Sequence, residues 1–126
     1  MNPYSKDFNG FVSYKKYHAK LDSQELDIAI ASLENNPFNA CKSNLRLLEY
    51  GAIGWPVVCS DVYPFQTMNP PVVAVPDNEQ AWITALRNLI KDPGLRQAQG
   101  QALHDWQQQH YLLENHVDAW FHAIFE

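Results

Sequence analysis

The apolar positions of this chain change their period as it proceeds, and each change marks an element. Residues 26–33, Leu-Asp-Ile-Ala-Ile-Ala-Ser-Leu, form a short and nearly unbroken apolar run, the pattern of a parallel strand covered on both faces. A polar loop follows at 34–43. Cys41, Leu45, Leu48 and Ala52 then recur at helical spacing and predict one apolar stripe. Gly54 closes that helix, and Pro56 two residues later prevents its continuation. Val57-Val58-Cys59 reads as the next buried strand, so 26–61 is expected to be one right-handed βαβ unit.

Upstream, residues 1–9 read as a frayed lead-in. Asn9 is a candidate cap for a helix over 10–21, with Phe11, Tyr14, His18 and Leu21 on one face. Downstream, a proline-marked loop over 63–71 leads to a third short strand at 72–75, which Pro76 ends. Everything beyond is predicted to be helical. Asp77 and Gln80 have capping-box spacing, and Trp82, Leu86, Leu89 and Ile90 supply a buried stripe. Asp92-Pro93 reads as cap and first-turn proline of the next helix, whose inner face would be Leu95, Ala98, Ala102 and Trp106. A final helix over 113–125 is expected to bury Leu113, Val117, Trp120, Phe121 and Ile124.

The fold class expected is therefore α/β: a Rossmann-like three-layer α/β/α arrangement with a short parallel sheet of about three strands and a helical C-terminal half. Residues 1–126 make one domain. Doubly wound sheets more often have five or six strands, so an edge strand is expected to stay open to a partner, a second copy included.

Composition narrows the partners. With 46% hydrophobic residues the chain can bury a core, and a net charge of −5 argues against broad nucleic-acid binding. The lysines around Tyr14-Lys15-Lys16-Tyr17-His18-Ala19-Lys20 read as a solvated helix face. Cys41 and Cys59 lie in apolar patterns and make no Cys-x-x-Cys pair, so buried free thiols and a reducing compartment are expected. No run approaches membrane-spanning length and the start has no signal-peptide core, which makes a cytoplasmic location the default.

The candidate chemistry sits where strand ends meet the first helix start of the βαβ unit. Free N–H groups there favour an anion. With Ser43 as cap, Lys42 and the N–H groups of Asn44, Leu45 and Arg46 would face one point; with Asn39 as cap, Lys42 falls in the first turn. Glu49 follows Lys42 by two turns and could accept hydrogen bonds from ribose hydroxyls. The competing reading makes Lys42, Arg46 and Glu49 a solvated ion-pair column. Glu34 and Asp61 each follow a strand end and point at the same crevice, as acceptors for sugar hydroxyls, as ligands of a metal or as turn caps. The five histidines are scattered and lack metal-site spacing, and no glycine-rich phosphate fingerprint is present.

At these residues the sequence resembles a known family. Asn36-Pro37-Phe38-Asn39, then Lys42-Ser43-Asn44-Leu45-Arg46-Leu47-Leu48-Glu49-Tyr50-Gly51-Ala52-Ile53-Gly54-Trp55-Pro56-Val57-Val58, resembles the donor-binding half of GT-B glycosyltransferases, in particular the group 1, family 4-like enzymes of polysaccharide and O-antigen assembly. The stretch Glu79-Gln80-Ala81-Trp82 through Asp92-Pro93 and the terminal Leu113-Glu114 to Trp120 agree in order and spacing. The resemblance implies the C-terminal part of a GT-B fold and retaining transfer of a sugar from a nucleotide-sugar donor to an acceptor glycan or lipid-linked hydroxyl, with no bound metal or other cofactor. It implies a donor site at Asn39, Lys42, Ser43, Asn44 and Leu45, with Glu49 on the ribose. It also implies an N-terminal acceptor domain or partner chain, and peripheral membrane association of the full-length enzyme. The first glutamate of the family's paired motif falls at Cys41, eight residues before Glu49. That departure keeps an alternative open: a non-catalytic module of the same fold that acts in binding or oligomerisation.

Overall fold

The structure, a computed structural model, describes residues 11–125; the expected lead-in over 1–9 and the Asn9 cap lie outside the described residues. It is a mixed α/β protein, 62% helical, built on one open sheet of three parallel strands. The strands are β1 (Ala29–Ala31), β2 (Val57–Ser60) and β3 (Val73–Val75), in spatial order β1-β2-β3. Ala29 stands beside Val57, Ala31 beside Cys59, Val58 beside Val73 and Ser60 beside Val75.

Alternation along β2 feeds two cores. Val57 and Cys59 face α3 (Leu45–Ile53) and α6 (Pro93–Tyr111), where they pack with Ala29, Ala31, Leu47, Leu103 and Trp106. Val58 faces the other way and joins Val75 and Leu89, the latter from α5 (Glu79–Lys91). β2 is thus buried on both faces, as its sequence predicts. β1 is not. Ile30 shares the Val58 face, but α5 does not reach it, and it stays 50% exposed at the open edge.

Several sequence expectations shift by a turn. The upstream helix is only α1 (Tyr17–Asp22), preceded by one tight turn at Tyr14–Lys16. Phe11 and Tyr14 are exposed, and of the expected face Leu21 reaches the core. The polar loop expected over 34–43 contains a short helix of its own, α2 (Pro37–Ala40), ahead of α3. Asn36 caps α2 by accepting the Asn39 N–H at 2.8 Å. The loop after β2 holds a further short helix, α4 (Tyr63–Gln66). α5 is capped by Asn78, which accepts from Ala81 at 3.1 Å, rather than by Asp77. Within its stripe Leu89 is buried, while Ile90 is largely exposed. α6 starts as expected, with Asp92 accepting the Leu95 N–H at 2.9 Å ahead of Pro93.

The buried row of α6 is Gly100, Leu103 and Trp106, not Leu95, Ala98 and Ala102. The cause is a close backbone approach. A Cβ on Gly100 would overlap the Gly54 carbonyl oxygen, and one on Gly51 would sit 3.2 Å from Leu103. These two glycines let α6 lie against the end of α3. Gly54 itself adopts φ 86°, the left-handed cap that its position predicts. Arg96 then donates to the Leu89 and Ile90 carbonyls at 2.7 and 3.0 Å, which ties α6 to the C-terminus of α5.

The largest departure is at the end of the chain. Helix α7 (Val117–Phe125) buries none of its residues; Val117, Trp120, Phe121 and Ile124, expected in the core, are all more than half exposed, as is Leu113. Its apolar spacing predicts a partner, and the described chain supplies no surface over it.

Gly100→Ala should destabilise the fold by about 1–3 kcal/mol through overpacking, and Gly54→Ala by about 1–2 kcal/mol through its left-handed backbone alone. Urea unfolding of both variants beside the parent checks the ordering.

Candidate functional site

The carboxyl ends of all three strands open into a crevice of about 470 Å³ lined by Ser32, Glu34, Ser60, Asp61, Asp77 and Trp82, among others. Glu34 and Asp61 meet there, as their positions after β1 and β2 imply. Asp77, after β3, adds a third carboxylate that the sequence reading left among capping residues. The Ser60 hydroxyl accepts the Leu33 N–H at 2.9 Å and joins the two strand ends. Gln66 donates to the Asp61 carboxylate at 2.9 Å. This crevice is acidic and suits hydroxyl donors, not phosphate.

The basic groups lie next to it. A cavity of about 390 Å³ at the open β1 edge is lined by Ile30, Ser32, Lys42, Ser43, Arg46 and Tyr50, with Leu33 shared between the two spaces. Lys42 is exposed and carries its ammonium 5.2 Å from the Phe38 ring centre. Ser43 is exposed beside it. Neither Ser43 nor Asn39 caps α3. The cap is Asn44, whose carbonyl accepts from Leu47 and Leu48 while its side chain makes no capping bond. Among the described residues the Leu45 and Arg46 N–H groups have no acceptor, so the start of α3 keeps two donors.

Two of the predicted site residues spend their side-chain amides on bonds within the fold. Asn44 is nearly buried and donates to the Tyr111 hydroxyl at 2.8 Å, across from the end of α6. Asn39, also nearly buried, donates to the Glu34 carbonyl at 2.9 Å and holds the loop beside the acidic crevice. Leu45 is 55% exposed and turns to the far side of α3.

Glu49 is not on the Lys42 cavity. It lines a separate groove between α1 and α3. There its carboxylate accepts from Tyr17 at 3.3 Å and pairs with Arg46 at 3.5 Å, while Arg46 also donates to the Tyr17 hydroxyl at 3.2 Å. Partial burial works against the Arg46 charge, but Tyr50, Tyr17 and Glu49 outweigh it and raise its pKa. Sequence spacing identified the Arg46–Glu49 pair; the Tyr17 contribution, 29 residues from Arg46, carried no local signal.

Cys41 is exposed, against expectation, with its thiol 3.4 Å from the Pro37 carbonyl. It ends the short α2, so the stripe of which it seemed part does not run through to α3. Cys59 is fully buried, and burial, with Asp61 adding to it, pushes its thiol up to about 12. No group of His, Cys, Asp and Glu fit to hold a metal occurs among the described residues. No helix among them is long and apolar enough to cross a membrane.

No family model, curated protein or solved structure matches this chain.

Two outcomes test this geometry. In the native protein only Cys41 should react with a thiol reagent near neutral pH, and Cys59 should follow on unfolding. Above pH 9 the unfolded Cys59 thiol ionises while the folded one stays protonated up to about 12. The unfolded state then binds fewer protons, so folding stability falls as pH rises through that window, by about 1.4 kcal/mol per pH unit at most from this group. Cys59→Ala should remove that part of the slope, measured by urea titrations at pH 8, 9 and 10.

Proposed function

We propose that this chain is the donor-side part of a GT-B-like glycosyltransferase, a partial Rossmann-like layer that holds a nucleotide-sugar by its diphosphate. The observation that carries the reading is the cavity at the β1 edge, lined by Lys42, Ser43 and Arg46 beside the start of α3, whose Leu45 and Arg46 N–H groups have no acceptor among the described residues. A diphosphate there gains two cations, a hydroxyl and a helix dipole end. The acidic crevice adjoins it through Leu33 and Ser32, so hydroxyls of the sugar or ribose would lie against Glu34 and Asp61 while the phosphates stay at the basic cavity. The sequence resemblance supplies the reaction class: retaining sugar transfer, with acceptor binding on another domain or chain.

In this reading Lys42 and Arg46 bind charge and Ser43 donates a hydrogen bond. Asn39 and Asn44 shape the loop, and the backbone N–H of Leu45 contributes where its side chain does not. Glu49 has two possible tasks with different consequences. It either contacts ribose, as the resemblance implies, or it holds Arg46 in place, which its 3.5 Å pair supports.

Calorimetric titration with UDP, GDP, their sugars and inorganic pyrophosphate tests the proposal. Lys42→Ala and Arg46→Ala should each weaken nucleoside diphosphate binding about tenfold or more, the loss of a charge-assisted bond. Glu49→Ala should weaken pyrophosphate and UDP alike if it acts through Arg46, and UDP alone if it touches ribose. Absence of saturable binding to every one of these ligands, with the preceding domain supplied as well, leaves the non-catalytic module as the reading.

A further inference from the structure

Arg46 connects two sides of α3. Its side chain lines the cavity at the β1 edge beside Lys42 and Ser43, while Glu49, three residues on, lines the groove on the α1 side. Between them a three-membered cluster closes. The Tyr17 hydroxyl donates to the Glu49 carboxylate at 3.3 Å, Arg46 Nη1 donates to the Tyr17 oxygen at 3.2 Å, and the same Nη1 stands 3.5 Å from Glu49. The directions are consistent. The hydroxyl has one hydrogen and gives it to the carboxylate, so it meets the guanidinium as an acceptor.

The pair on α3 alone would not place Arg46. The arginine side chain is 58% exposed, and 3.5 Å is long for a charge-assisted bond. A surface i,i+3 pair of this kind is weak and leaves a long side chain most of its rotamers. Tyr17 is partly buried and comes from a different element, as the first residue of α1. Two ties from two helices therefore meet at one nitrogen. The remaining Arg46 side-chain N–H groups, on Nη2 and Nε, have no acceptor among the described residues. Because the guanidinium is a rigid planar fork, fixing Nη1 also fixes the direction of those free donors. Lys42 has no comparable tie; its ammonium is exposed near the Phe38 ring.

We infer, taking the β1-edge cavity as the diphosphate site proposed above, that Tyr17 is a positioning residue for it: α1 holds Arg46 through Tyr17, and anion binding is thereby coupled to the docking of α1 on α3. Tyr17 does not line the cavity and acts only through Arg46. Among the described residues, α1 is otherwise joined to the core by Leu21, and the side-chain hydrogen bonds that reach from it to another element are those of Tyr17. The coupling is reciprocal: an anion that engages the free edge of Arg46 also steadies α1.

Calorimetric titration of the 126-residue chain with inorganic pyrophosphate at low salt provides the test. Tyr17→Phe keeps the ring and removes the hydroxyl; it should weaken binding about threefold or more, with urea unfolding confirming that the variant is folded. In an Arg46→Ala background, where Lys42 remains, the same change should cost nothing further. Pyrophosphate should also slow amide exchange over 17–22 in the parent and not in Tyr17→Phe. Equal affinity of Tyr17→Phe and parent would overturn the positioning role and leave the diphosphate site standing, as would exchange over 17–22 that pyrophosphate leaves unchanged in the parent. An equal loss in both backgrounds would also overturn it, because α1 would then act on the fold and not on Arg46. No pyrophosphate binding by the parent would remove the diphosphate site from this chain, and this role with it.

Discussion

The structure depends on how closely α6 approaches the end of α3. Gly100 and Gly51 have no side chains to hold the helices apart, and Leu103 fills the space between them. From that contact α6 runs back along α3 and fixes two distant points. Trp106 donates to the Met68 carbonyl at 2.9 Å and anchors the loop before β3. Tyr111, at the other end, accepts from Asn44 and holds the residue from which α3 starts. The donors at the start of α3 are therefore placed by a helix that begins almost fifty residues later in the chain. A one-methyl change at Gly100 would displace the site without touching it.

That dependence explains what was legible in the sequence. The three strands, the Gly54 cap and the Asp92-Pro93 start each follow from a local rule, because backbone geometry at those points is decided by one or two residues. The faces of α3 and α6 do not follow. Apolar spacing on α3 favours Cys41, Leu45, Leu48 and Ala52, yet Leu47 and Gly51 are the buried pair, since a glycine that admits another helix carries no hydropathy signal. The same holds for Gly100 on α6. For α7 the periodicity identified the apolar arc correctly, but burial depends on a second surface, and a pattern along one chain cannot say whose surface it is.

The site shows the same division. That Lys42, Ser43 and the start of α3 lie close together was readable, because neighbours at a strand–helix junction are placed locally. The roles of Asn39 and Asn44 were not, since both amides are spent on bonds to residues elsewhere in the fold, Glu34 and Tyr111. Glu49 was found by spacing and misplaced by it. Two turns after Lys42 is the same side of an ideal helix, but Lys42 precedes α3 in an irregular turn, so the count of residues did not measure rotation. Tyr17 then takes up the carboxylate from α1, a contact that no window of sequence contains.

Charge distribution constrains any ligand more firmly than any single residue. Three carboxylates occupy the crevice at the strand ends, and the cations of the neighbouring cavity lie on the α3 side. A free phosphate placed centrally beyond the strands would face those three exposed carboxylates and be repelled by them, an effect that salt screens. Among the described residues that line the two spaces, Lys42 and Arg46 at the β1 edge are the cations, so a phosphorylated ligand in these spaces is charge-compatible there, with its neutral and hydroxyl-bearing part across the acids. A ligand with both features in one molecule meets both requirements; a bare polyanion or an apolar ligand meets at most one. That edge is also where Ile30 and the outer backbone of β1 stay uncovered. Whatever pairs with β1 would therefore form a wall of the cavity that Lys42, Ser43 and Arg46 line, so strand pairing and the two cations would shape that space together.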